Sequence, residues 1–154
     1  MEAFVKTVLY AYPTLGELVD SYGVHIKNKA ILSALDTTPA SRIAEHLAKE
    51  IALKSRLEWL REKVERAISA LSEGERLLLE ERFFKRKMRK GLDGDKSERT
   101  YFRLQGKLVA KMQKLLIAQG VTKEVFEREF VSEELFAKLY AFVKLGKNQR
   151  LKKI

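Results

Sequence analysis

The chain has 154 residues, two histidines and no cysteine, with 31 Lys/Arg against 21 Asp/Glu for a net charge of +10. That length can bury one good core or two small lobes, and the missing thiols exclude a disulfide scaffold and a thiolate metal site. No stretch approaches the roughly 18 uninterrupted apolar residues of a membrane span, so the expectation is a cytoplasmic protein with no membrane partner.

Helical periodicity runs between sparse breaks. Phe4, Val5, Val8, Leu9 and Tyr12 form one stripe, and Pro13 is expected to stop that helix. Thr14-Leu15-Gly16-Glu17 has the form of a capping box. It would open a helix to about Leu35 with Leu18, Val19, Tyr22, Ile26, Ile31, Leu32 and Leu35 mostly on one side, weakened or bent at Gly23. In Asp36-Thr37-Thr38-Pro39, Thr38 can cap and Pro39 suits a first helical turn. The longest pattern follows: Ile43, Leu47, Ile51 (or Glu50), Lys54, Leu57, Leu60, Val64, Ile68 and Leu71 step by three and four. This heptad-like seam, interrupted at Lys54, fits a bundle helix or a dimerising coiled coil, with Arg56 and Trp59 as solvated and packing residues beside it.

Ser72-Glu73-Gly74-Glu75 is a second capping box, and Leu77, Leu78, Glu81, Phe83 and Phe84 carry its helix to about Lys87. Gly91 to Asp95 reads as a turn or loop. Ser97 is then an N-cap for a helix with Tyr101, Leu104, Leu108, Met112 and Leu115 inside and Arg99, Arg103, Lys107, Lys111 and Lys114 on its other faces. Gly120 ends it, Thr122 caps a short helix through Phe130, and Ser132 caps a last one before Gly146 and the basic tail KNQRLKKI. The fold class is all-α, a helical bundle with a long central helix. Its segments are 1-71, for packing and dimerisation, a basic two-helix region 72-119, and the C-terminal helices and tail, 120-154.

Charge is divided unevenly among these segments. Met1 to Leu71 holds ten Lys/Arg against nine Asp/Glu, whereas Ser72 to Ile154 holds 21 against 12. Between Arg82 and Lys107 there are ten Lys/Arg and three Asp/Glu. Such a patch suits a polyanion and does not itself choose between DNA and RNA, while a solvated cationic face is the ordinary alternative.

LSEGERLLLEERFF followed after twelve residues by SERTYFRLQGKL resembles the C-terminal helix-turn-helix of bacterial sigma factors, region four. It is also similar to the phage and prophage late-transcription activators that share that region. The matching positions are Leu71, Glu75, Leu78, Arg82, Phe83 and Phe84, then Ser97, Glu98, Arg99, Thr100, Tyr101 and Arg103. The resemblance implies a helix-turn-helix-like, DNA-binding C-terminal half in a transcriptional regulator. Ser97, Arg99, Thr100 and Arg103 would then contact bases or phosphates of double-stranded DNA, and RNA polymerase would be a further partner. In the family the connector carries a short amphipathic positioning helix; here it is KRKMRKGLDGDK, whose only apolar members are Met88 and Leu92. Lys85, Arg86, Lys87, Arg89 and Lys90 could sit against phosphates and release counterions, with Lys107 extending the basic surface along the second helix.

No enzyme, cofactor or metal site is expected. GLDGD is followed by no Lys-Ser/Thr helix start, DGD lacks the closing Glu of a calcium loop, and His25 and His46 are isolated from each other in sequence. The competing class is a helical adaptor that uses the Ile43 to Leu71 seam to bind itself, as a homodimer, or another protein.

Overall fold

Pro13 does not end a helix. In the computed structural model, which describes residues 3–33, 40–85 and 98–152, α1 runs through it from Ala3–Ser33. An internal proline removes the amide that would donate to the Leu9 carbonyl and crowds that turn, at a cost of about 3 kcal/mol. What offsets this is a single stripe that keeps phase across it: Phe4, Val8, Ala11, Leu15 and Val19 are all buried, while Pro13 faces solvent. Thr14 to Glu17 therefore lie in mid-helix, where no orphan amides await a capping box. The expected boundary at Asp36 to Pro39 lies outside the described residues.

All described secondary structure is helical. After α1 come α2 (Ala40–Ser69), α3 (Glu73–Leu79) continuing into a π-helical turn (Glu80–Phe84), α4 (Glu98–Ala118), α5 (Lys123–Glu129) and α6 (Glu134–Lys152). The chain is thus an all-α helical bundle. It divides into two compact units, one made of Met1–Pro13 with Lys63–Ile154 and the other of Thr14–Glu62, a different cut from segments drawn at helix punctuation.

In the 14–62 unit Leu15, Val19, Leu57 and Leu60 are buried. The seam of α2 takes Glu50 rather than Ile51, which is 53% exposed. Glu50 is held there by Lys29 Nζ at 2.7 Å and His25 Nε2 at 3.3 Å. The Lys29 hydrogen bond keeps its carboxyl below the ordinary value against the opposing effect of burial, and the nearby positive groups add to the lowering. Ile31 and Leu32, expected on the inner stripe of α1, are exposed instead.

In the other unit Val64 and Leu71 of the seam are buried, but the turn between them buries Ala67 and leaves the expected Ile68 half-buried. Arg76 Nη2 reaches back to Ser69 O at 3.0 Å and its Nε to Ile68 O at 3.3 Å, satisfying carbonyls at the end of α2. The Ser72 capping box forms: Glu75 N donates to Ser72 Oγ at 3.3 Å and Ser72 N to Glu75 Oε1 at 3.0 Å. Lys85 N then bonds Glu80 O at 2.8 Å, five residues back, which widens the turn. This turn sets adjacent Phe83 and Phe84 against Tyr10 and Tyr12 of α1, each pair 5.1 Å between ring centroids. A second aromatic cluster joins Phe4 to Phe126 at 6.0 Å, with Phe130, Phe136 and Tyr140 around Phe126.

Gly120 ends α4 as expected, with φ 91°, and a Schellman pair of bonds runs from Val121 N to Leu116 O and from Gly120 N to Ile117 O, both 2.9 Å. Thr122 caps α5 through Val125 N. The cap of α6 is Glu133, not Ser132: the buried Glu133 carboxylate accepts from Phe136 N at 3.1 Å, and an ionised oxygen at a helix start is the stronger acceptor. Gly146 does not stop α6, because a glycine ends a helix by turning left-handed, as Gly120 does, and Gly146 has no positive φ.

Candidate nucleic-acid interface

The register of α4 decides which of its cations reach solvent. Tyr101, Gln105, Leu108, Val109, Met112 and Leu116 are buried, whereas Leu104 and Leu115, expected inside, are half-buried. The stripe is rotated toward Gln105 because that amide has a partner: Arg82 Nε donates to Gln105 Oε1 at 3.0 Å. The Arg82 guanidinium carbon in turn lies 6.0 Å from the Tyr10 ring centroid and 5.6 Å from that of Phe83. Such contacts favour a cation over an aromatic face, so Arg82 ties α1, the π turn and α4 together. Within a basic stretch it reads as one more surface charge; the Phe83-Phe84 pair beside it was the available signal.

On the side of α4 opposite its buried stripe, Arg99, Arg103, Lys107 and Lys114 are exposed and make no ion pair among the described residues. From Arg99 to Lys114 the row spans about 22 Å at 1.5 Å per residue. Glu98 is the only acid in the helix. Arg99, Arg103, Lys107 and Lys111 follow one another at i,i+4, an arrangement that costs a helix about 0.2–0.5 kcal/mol per like-charged pair. Lys111 is the member that is neutralised, by Glu75 Oε1 at 2.8 Å. That hydrogen bond, followed by the one from the Ser72 amide, holds the Glu75 carboxyl down at about 2.

The other expected contact residues are distributed as follows. Thr100 is half-buried and engaged within the fold, and Lys85 is exposed at the end of the π turn. Ser97, Arg86, Lys87, Arg89 and Lys90 lie outside the described residues. Among the described residues no group of three or more His, Cys, Asp or Glu is placed to hold a metal ion, and no helix is long and apolar enough to cross a membrane.

The chain matches no protein-family model, no curated protein and no solved structure.

Proposed function

We propose that the protein is a DNA-binding transcriptional regulator that meets the duplex with the cationic side of α4. The observation that carries this reading is the row Arg99, Arg103, Lys107 and Lys114, exposed, without acidic partners among the described residues and repulsive along its own helix. A face selected only to be solvated gains by mixing signs, whereas a row of one sign gains when phosphates neutralise it. The resemblance to sigma region four adds base contacts from Arg99 and Arg103 at the start of α4, and it alone carries the suggestion of RNA polymerase as a partner.

Anisotropy of a labelled duplex across a salt series tests the proposal. Four neutralised phosphates give a slope of about −3.6 in log affinity against log salt, at about −0.9 per phosphate. Arg103→Ala should weaken the preferred base by about 1–3 kcal/mol and relax preference at that position, while Lys114→Ala lowers affinity for all sequences alike. Absent or salt-independent binding overturns the reading.

The adaptor reading draws on the exposed Val24, Ile31 and Leu32 of α1. Of the seam it draws only on the first part, where Ile43 and Leu47 are half-buried and Ile51 is exposed, because Leu57, Leu60, Val64 and Leu71 are buried within the chain itself. Sedimentation at tens of micromolar, showing dimer or monomer, decides whether paired half-sites enter the DNA model.

A further inference from the structure

One cation of the α4 row is already taken. Lys111 follows Lys107 by four residues and precedes Lys114 by three, so it lies about 40° from the first and about 60° from the second around the helix, on the same side. Its ammonium is nonetheless committed: Nζ sits 2.8 Å from Glu75 Oε1 on α3, with the lysine side chain 45% and the carboxylate 30% exposed. Glu75 is itself fixed, because the same Oε1 accepts from Ser72 N at 3.0 Å while Glu75 N donates to Ser72 Oγ. The capping box thus holds the carboxylate toward α4, and turning it away from Lys111 would open the start of α3. With its pKa held down at about 2, this carboxylate stays charged wherever the protein would meet nucleic acid.

We infer that Glu75 is an internal competitor for the nucleic-acid backbone: its carboxylate occupies, on Lys111, the place of a fifth phosphate and so limits the affinity of the α4 row for DNA. This rests on the DNA reading and deepens it. A phosphate that approaches Lys111 either leaves the lysine with Glu75 or displaces a carboxylate that stays behind as a negative charge beside the duplex. In both cases Lys111 adds no net cation. Arg99, Arg103, Lys107 and Lys114, without acidic partners among the described residues, each release counterions for the phosphate they meet.

The test is anisotropy of one labelled duplex with the full chain across a salt series. Glu75→Gln keeps an acceptor for the Ser72 amide, since glutamine also closes a capping box, and it frees Lys111. It should steepen the slope of log affinity against log salt by about 0.9 and raise affinity about eightfold at about 0.1 M salt, the factor one such contact gains over a decade of salt. Glu73→Gln removes the same charge two residues away, from an exposed acid that pairs with no lysine among the described residues, and should leave the slope unchanged. Combining Glu75→Gln with Lys111→Gln restores the parent's charge and should restore its slope. Lys111→Gln alone should also keep the parent slope, and this arm decides even if Glu75→Gln fails to fold. A parent that binds with a salt slope, joined to a Glu75→Gln variant no steeper than it, a Glu73→Gln variant equally steepened, a double variant that stays steep, or a Lys111→Gln variant shallower by about 0.9, overturns the competition and leaves the DNA reading standing. A parent that does not bind, or binds without salt dependence, overturns both.

Discussion

Arg82 and Glu75 show how differently two charged residues of one stretch are used. Arg82 is held by Gln105, Tyr10 and Phe83, so removing it leaves a buried amide without its donor. Arg82→Ala should lower stability by about 1–3 kcal/mol, read as a fall in Tm, and adding Gln105→Leu should restore part of it. Glu75 has a pKa of about 2, below the ordinary 4.5. A depressed carboxyl pKa contributes stability that is complete above the ordinary value and is lost as pH falls through the folded one. Glu75→Gln should therefore flatten the loss of stability between about pH 4.5 and 2, measured by denaturant melts at each pH, and should lower stability at neutral pH by about 1 kcal/mol through the weakened capping box. Of the ten expected contact residues, sequence placed Arg99, Arg103 and Lys107 on an exposed helix side. It could not show that Arg82 turns inward, because that depends on rings and an amide distant in the chain.

At the scale of elements, locally encoded punctuation was legible and punctuation overridden by packing was not. Ser72, Thr122 and Gly120 act through atoms within a few residues, and each does what its motif implies. Pro13 is as strong a local signal, but the burial of Phe4, Val8, Ala11, Leu15 and Val19 on both sides of it prevails. Pro13→Ala should therefore stabilise the protein by about 1–3 kcal/mol, since it restores the amide to α1 at an exposed position without disturbing the buried stripe. A melting temperature that falls instead would mean that the proline fixes a bend the packing needs. Register in α4 was the other miss: Gln105 occupies an inward position because Arg82 waits there, which hydrophobic period alone does not reveal, whereas in α2 the seam takes Glu50, the second of the two residues the spacing allowed.

For the whole molecule, the all-α class followed from periodicity, whereas the grouping of helices into units did not. Met1–Pro13 belongs with Lys63–Ile154, although 49 residues separate the two stretches. No periodic pattern reports a contact such as Phe4 on Phe126. Deleting residues 1–13 should consequently unfold the larger unit rather than trim a tail, because it removes four large apolar side chains, Phe4, Val5, Val8 and Leu9, that are at most 1% exposed. Loss of amide dispersion from Lys63 onward would be the readout; an unchanged spectrum there would refute the grouping.

That grouping also sets an order of events during synthesis. At about 5–20 residues per second, Phe4 is made roughly 6–25 s before Phe126. Until then the first three turns of α1 present their apolar side without its aromatic cover, while residues 14–62 are complete and free to pair. Through most of the interval Phe4, Val5, Val8 and Leu9 thus stay open to water, and the larger unit gains its aromatic cluster only once Phe126 has been made.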